Sequence, residues 1–313
     1  MKRANPSATV APKATAYADP LAEVLRPGQS IELLKALHIL TRDGKLNQDS
    51  RRKLKQVTHL CNFIEPLLDD ILSRQDTLTL ADHGAGKSYL GFILYDLFLK
   101  ARSGAHIYGI ETRDELVAKS RELATNLGFS RMSFLNATVA ESITTDALPP
   151  RIDIVTALHA CNTATDDAIR FALTKQARHI VLVPCCQAEV AAVLRKHKNE
   201  SFGKTPLSEI WRHPLHTREF GSQLTNVLRC LQLEAHGYQV TVTELVGWEH
   251  SMKNELIIAT QKDSPRNNAR TRLQQILQEL NLQELENRFL GPQTPSETPQ
   301  DPDASAPPAH TVG

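Results

Sequence analysis

The chain has 313 residues, of which 41% are hydrophobic and 23% charged, with a formal net charge of +1. That is enough chain for one large domain with appendages, and it excludes a strongly basic nucleic-acid coat while leaving room for a local basic patch. No apolar run reaches the roughly 18 residues of a membrane span and no signal-peptide pattern opens the chain, so a cytoplasmic location is expected. Five cysteines, Cys61, Cys161, Cys185, Cys186 and Cys230, make an odd number with one adjacent pair. That usage suits reduced thiols rather than a disulfide framework.

Residues 1–28 carry Pro6, Pro12, Pro20 and Pro27 among small residues and read as a flexible arm. A helical N-terminal extension is expected over 29–75. It comprises a short amphipathic helix from Ile31 to Leu40, a turn at Gly44, and a helix capped by Ser50 that runs to about Leu72. The first turns of that helix hold Arg51, Arg52, Lys53 and Lys55, followed by the apolar positions Leu60, Ile64, Leu67, Leu68 and Ile71. Cations at a helix N-terminus oppose the dipole. They are either a solvated face or a patch that contacts the phosphates of an RNA.

From residue 76 to 262 strands alternate with helices. Strands are expected at Leu78–Ala81, Ala105–Glu111, Met132–Asn136, Ile152–Leu158 and His179–Val183. Helices are expected from Ser88, over Asp114–Gly128 and over Asp166–Gln176. A polar loop near 198–217 precedes a helix from about Ser222 to His236. Tyr238–Leu245 and Leu256–Thr260 then read as a hairpin closing one sheet edge. The pattern implies an α/β fold with a doubly wound, Rossmann-like, mostly parallel seven-stranded sheet, an antiparallel edge hairpin and flanking helices. A C-terminal helix over 263–290 and a disordered tail over 291–313, with six prolines, complete the reading.

In such a sheet ligands sit outside the carboxyl ends of the strands. Polar and reactive residues recur there: Asp82-His-Gly84-Ala-Gly86 after strand 1, Glu111 after strand 2, Asn136 and Ala137 after strand 3, His159-Ala-Cys-Asn162 after strand 4, and Pro184-Cys185-Cys186 after strand 5. A strand, a glycine turn and a helix N-terminus cradle a bulky ligand, whether a dinucleotide, a nucleoside triphosphate or S-adenosylmethionine. Glu111, 25 residues past Gly86, can accept both hydroxyls of a ribose. The amide of Asn136 either bonds an adenine edge or simply turns the chain. Gly86-Lys87-Ser88 matches the end of a P-loop, but the glycine that pattern requires upstream is Ala81, and Asp82 would repel phosphate. A nicotinamide site would need a third glycine where Tyr89 stands.

These motifs together resemble the class I S-adenosylmethionine-dependent methyltransferases. Asp82-His-Gly-Ala-Gly-Lys-Ser resembles that superfamily's first motif and Glu111 its ribose-binding acid, with Ser88 where the family has its last glycine. More narrowly, Gly86-Lys87, His159-x-Cys161-x-x-x-Thr165-Asp166 and Pro184-Cys185-Cys186 resemble a branch that includes tRNA 2′-O-methyltransferases. The resemblance implies S-adenosylmethionine as cofactor, with Asp82 and Gly84 toward its methionine end and Asn136 and Ala137 near its adenine. His159, Asn162, Cys185 and Cys186 are then the candidates facing the transferring methyl, with His159 a base at neutral pH. Asp166 is expected to cap the helix that follows. Adjacent cysteines suit one metal ion poorly, so no metal site is assigned. The expected activity is methyl transfer to RNA, tRNA or rRNA. A protein or small-molecule acceptor, a non-catalytic cofactor- and RNA-binding module, and a P-loop NTPase are the alternatives.

Overall fold

The computed structural model describes residues 25–158, 162–184, 187–197, 206–245, 255–262 and 268–290, and leaves the side chains of Asp49 and Lys53 undescribed. The expected arm, apart from 25–28, and the expected tail lie outside the described residues.

The first helix, α1 (Ile31–Ala36), starts behind Ser30, whose hydroxyl accepts the Leu33 amide. It stops short of Leu40 because His38 adopts a left-handed φ of 54°. The second, α2 (Gln48–Leu72), is capped by Asn47 and not by Ser50: the Asn47 side chain accepts the Ser50 amide at 2.8 Å.

Seven strands follow: β1 (Leu78–His83), β2 (Ala105–Glu111), β3 (Met132–Asn136), β4 (Ile154–Leu158), β5 (His179–Val183), β6 (Tyr238–Glu244) and β7 (Glu255–Gln261), in the spatial order β3-β2-β1-β4-β5-β7-β6. The pairs among β1 to β5 are parallel. Strand β7 runs antiparallel between β5 and β6, which is the expected edge hairpin. The order reverses between β1 and β4. The chain winds outward from β1 to β3, returns to β4 and winds the other way, so the crevice at the ends of β1 and β4 is the topological switch point.

The connecting helices are α3 (Tyr89–Leu94), which continues as a π-turn over Tyr95–Leu99, α4 (Asp114–Asn126), α5 (Val139–Thr144), α6 (Thr163–Thr174), α7 (Glu189–Lys196), α8 (Pro214–Ala235), α9 (Ala269–Glu279) and α10 (Glu286–Phe289). Helix α8 starts well before the expected Ser222, with Pro214 at its first turn, a position proline favours. The expected single C-terminal helix is broken after α9, where Asn281 takes a φ of 53°. One sheet face packs Leu78, Leu80 and Ile107 against α2, α3 and α4. The other packs Ala81, Val155 and Ile180 against α5 and α6. Helices α7 to α10 share a third cluster around Leu228 and Leu273.

The N-terminal extension lies in the first of these cores rather than beside it. Leu33, Leu34, Leu54, Leu60 and Ile64 are each no more than 1% exposed and pack together with the sheet residues. The Ser30 amide also donates at 2.7 Å to Asp96 in the π-turn. Helix α2 has 25 residues, about 37 Å of helix. Its C-terminal part is pinned to the amino edge of the sheet: Asp70 accepts from Arg178 Nε at 2.7 Å and pairs with His179 Nε2 at 3.0 Å, at the start of β5. Its N-terminal half therefore runs toward the carboxyl edge, where Gln56, Val57 and Leu60 meet Leu158 and Tyr89 around one cavity.

The hydrogen bond from Arg178, with those from Arg74 and His179, holds the Asp70 carboxyl well below its ordinary value of 3.8. A carboxylate with a depressed folded-state pKa stabilises the fold above its unfolded pKa, and that contribution fades as pH falls below it. Asp70→Asn should therefore lower the melting temperature at pH 7, and the gap to the wild type should narrow once pH drops below about 4. A gap that stays constant from pH 7 to pH 2.5, measured by thermal unfolding, would rule out the clamp.

Candidate functional site

The turn after β1 is shaped by three left-handed residues. Gly84 has φ 65°, Gly86 φ 57° and Ser88 φ 50°. Glycine takes this conformation without cost, whereas serine bears roughly 1 kcal/mol of strain. Ser88 is fully buried, and its hydroxyl meets Asp82 at 3.5 Å. The turn therefore keeps, at its third left-handed position, a buried side chain that reaches Asp82.

Asp82 is 2% exposed and lies beneath the turn. It is paired in register with Thr156 of β4, whose hydroxyl donates to Oδ1 at 2.8 Å, so this carboxylate ties the two strands that flank the switch point. Burial pushes its pKa up to about 6, against the hydrogen bonds from Thr156 and Ser88. His83, between Asp82 and Gly84, packs its ring 5.5 Å from that of Phe171 in α6. Neither of its ring nitrogens has a partner among the described residues, and burial lowers its pKa to about 4, so it is neutral at physiological pH.

Glu111 closes the opposite wall. Its Oε2 accepts the Gly86 amide at 2.8 Å, which joins the end of β2 to the glycine turn. The Arg113 guanidinium then donates through Nε to Oε1 at 3.1 Å and through Nη2 to Oε2 at 3.2 Å. Although burial acts to raise it, the hydrogen bonds from Arg113 and Gly86 leave the Glu111 pKa lowered, so it is a carboxylate at neutral pH. Arg113 is 61% exposed on its side chain while Glu111 is 8%. Two parallel donors on one carboxylate have the form of a ribose diol, and an exposed guanidinium can yield its place to one. The residues therefore fit a nucleoside: a diol on Glu111, with the Gly84–Gly86 backbone alongside.

Asn136 lies opposite Glu111 in the β2–β3 register and is exposed, its amide donating to Asp114 at 3.1 Å. Ala137 donates its amide to the Glu111 carbonyl at 3.2 Å and is 9% exposed. The structure thus gathers Asp82, Gly84, Gly86, Glu111, Asn136 and Ala137 along one stretch of the carboxyl edge.

Of the four candidates facing the methyl, His159, Cys185 and Cys186 lie outside the described residues, as does Cys161. The strands leading to their loops end side by side, Leu158 opposite Val183. Asn162 is described: it is exposed, has φ 53° and precedes α6. Asp166 does not cap that helix. It sits inside the first turn and takes a bidentate pair from Arg229 of α8, at 2.7 Å to Oδ1 and 3.0 Å to Oδ2, and a third bond from Arg288. Arg229 is 1% exposed and also donates to the Asn162 carbonyl at 2.9 Å. Its neighbour Asn226 accepts from Gln187 at 2.6 Å and donates to Glu255 at 2.6 Å. One buried face of α8 thus holds the segments that follow β4 and β5 and the start of β7.

Arg51 and Arg52 are exposed at the start of α2, as is Lys55; the Lys53 side chain lies outside the described residues. Sequence reasoning passed over Arg113, Thr156, Tyr89 and Arg229. For Arg229 a signal existed: Thr225, Asn226, Arg229 and Gln232 recur at helical spacing on a face that is wholly buried.

Residues 52–193 match the model of a family described as "Methyltransferase domain". Two proteins described as "Glutathione S-transferase C-terminal domain-containing protein" are similar: the one from Bos taurus is 22% identical over 241 residues and the one from Mus musculus 23% over 234, each covering 69% of this chain. The chain spans about a third (34%) of the length of each of these relatives. Among solved structures, magnesium protoporphyrin IX methyltransferase from Synechocystis PCC 6803 with bound SAH aligns over 74% of this chain and 93% of its own, at 16% identity and a TM-score of 0.42. No described helix is long and apolar enough to cross a membrane.

Glu111→Ala should weaken binding of S-adenosylhomocysteine by about 1–3 kcal/mol, a five- to 150-fold rise in Kd, because the diol loses its acceptor. An unchanged Kd by calorimetry would remove Glu111 from the site. Asp82, with its raised pKa, is protonated more readily folded than unfolded, so its contribution to stability is lost as it ionises with pH rising from about 4 through about 6. The same ionisation adds negative charge beneath a cofactor whose amino-acid end carries an ammonium. Affinity for S-adenosylhomocysteine should rise as pH passes through about 6, and Asp82→Asn should flatten that rise. A wild-type profile that is already flat from pH 5 to 8 would contradict this role.

Residues 52–193 thus match a methyltransferase-domain model, and the strand-end turn and Glu111 within that stretch fit an adenosyl ligand.

Proposed function

We propose that the chain transfers a methyl group from S-adenosylmethionine to RNA, tRNA or rRNA. The observation that carries the RNA reading is the direction of α2. Its C-terminal end is fixed to the amino edge of the sheet by Asp70, so its basic first turns, with exposed Arg51 and Arg52, project at the carboxyl edge beside the glycine turn. Lys53 and Lys55 extend the same run of cations in the sequence. A patch of this kind adds phosphate affinity where the reacting groups lie, despite a net charge of only +1. The motif resemblance to a branch that includes tRNA 2′-O-methyltransferases supports the same acceptor.

S-adenosylmethionine, when bound, supplies an electrophilic methyl on a sulfonium. The chain's own groups do the rest. The Gly84–Gly86 backbone and Glu111 hold the nucleoside, Asp82 sets the charge beneath the turn, and the Asp166–Arg229 pair fixes the start of α6. We assign His159 to take the proton that the acceptor group releases, with Asn162, Cys185 and Cys186 as the further candidates from the motif resemblance. Much of the rate in such an in-line displacement comes from alignment, which suits a site built on strand ends.

Purified chain incubated with S-adenosylmethionine and total cellular RNA should form S-adenosylhomocysteine in a ribonuclease-sensitive manner. Cofactor binding with no turnover on RNA would leave a binding module, and turnover that survives ribonuclease would point to a protein or small molecule. Arg51→Glu with Arg52→Glu should weaken RNA binding and lower the slope of log affinity against log salt by about 2, one for each phosphate that an arginine neutralises. An unaltered slope would make these arginines a solvated face.

A further inference from the structure

Tyr89, the first residue of α3, stands between two cavities. On one side is an apolar cavity of about 240 Å³ lined by Gln56, Val57, Leu60, Tyr89, Leu158 and Leu245. On the other is a cavity of about 280 Å³ whose lining includes His38, Lys87, Tyr89, Lys119 and Glu122. The first lies at the end of β4, at Leu158, and is walled by Gln56, Val57 and Leu60 of α2. It is smaller than the roughly 300–1,000 Å³ of a typical small-molecule site and large enough for one nucleobase. Among the described residues its lining offers a single side-chain amide, Gln56, and one aromatic ring; the rest are aliphatic. The second cavity is mixed: Leu37, Leu116 and Leu123 line it beside His38, Glu122 and two lysines. Lys87 and Lys119 are exposed, and neither has an ion-pair partner among the described residues.

We propose that these two cavities form one acceptor site for an unpaired nucleotide of RNA: the base enters the apolar cavity against Tyr89 and Gln56, and the adjoining phosphates lie at Lys87 and Lys119. The proposal rests on the RNA reading above and narrows it to single-stranded or locally opened RNA. The apolar lining of the first cavity suits a base, and the two exposed lysines at the second suit phosphate. A base stacks on an aromatic face whatever its identity, an amide can bond its edge, and the lysines neutralise phosphate. Arg52 stands one helical turn before Gln56 on the same stripe of α2 and extends the charge along the strand. A base held inside a duplex could not reach the apolar cavity without leaving its stack. The site therefore discriminates on pairing rather than on sequence.

The test compares a fluorescein-labelled ten-nucleotide single-stranded RNA with the blunt duplex of the same sequence, both titrated with the full chain in the presence of saturating S-adenosylhomocysteine. The wild type should bind the single strand at least about tenfold tighter. Tyr89→Ala and, separately, Val57→Trp, which fills the apolar cavity, should remove most of that preference. Lys119→Glu should weaken the single strand about fivefold or more. All three should keep the thermal shift given by S-adenosylhomocysteine, which shows that the fold and cofactor site survive. A wild type that binds neither RNA overturns the RNA reading and this site with it. A wild type that binds RNA with no preference for the single strand, or a preference that persists in both Tyr89→Ala and Val57→Trp, overturns the nucleotide site alone. If Val57→Trp fails to fold, Tyr89→Ala and Gln56→Ala decide, and an unchanged preference in both has the same meaning.

Discussion

One hydrogen bond organises the candidate site: the Gly86 amide donating to Glu111 at 2.8 Å. It joins a turn that must be left-handed to a strand end that must be acidic, and it fixes the distance between the two walls of the crevice. The bond exists because β1 and β2 are register neighbours that end together, His83 opposite Ile110. The same logic operates on the other side, where Asp82 and Thr156 are register partners across β1 and β4 and bond through their side chains. A parallel sheet delivers its carboxyl ends to one edge, and at the switch point two such ties leave an open crevice between them.

The second constraint is the course of α2. A long helix antiparallel to the strands, clamped at one end by Asp70 and sharing a core with β1 and β2, makes the N-terminal segment part of the domain. It carries cations and a cavity wall to the place where the strands end. The α8 face does the same from the far side of the sheet. Arg229 and Asn226 are buried polar groups whose partners lie on the segments after β4 and β5 and at the start of β7. Buried polar groups of this kind are costly unless every partner is present, so they specify one arrangement of those segments.

Much of the sheet was legible in the sequence because its strands are short buried runs with polar residues placed at their ends, and the acids and glycines of the crevice stand at those ends. What was not legible depended on distant partners or on local geometry. Asp166 looks like a cap by its position near a helix start, yet it answers to Arg229, which is 63 residues away along the chain. Ser50 and Asn47 are both good caps, and only the backbone decides that Asn47 takes the role. The start of α8 was hidden because its first turns are largely exposed, Thr217 alone being buried before the helix meets α7 at Gly221. There a Cβ would lie 2.6 Å from that of Ala191, a close approach visible only once both helices are placed. Arg113 was missed because its role is to occupy Glu111, and nothing in its spacing distinguishes it from an ordinary surface arginine.

The crevice at β1 and β2 fits an adenosyl ligand, with Glu111 for a diol and Asp82 beneath the turn where a triphosphate would be repelled. Isothermal titration of the purified chain with S-adenosylhomocysteine, set against ATP with magnesium, tests this directly. Saturable one-to-one binding of S-adenosylhomocysteine with no heat from ATP is the expected result. No binding of S-adenosylhomocysteine, or a preference for ATP, would contradict it.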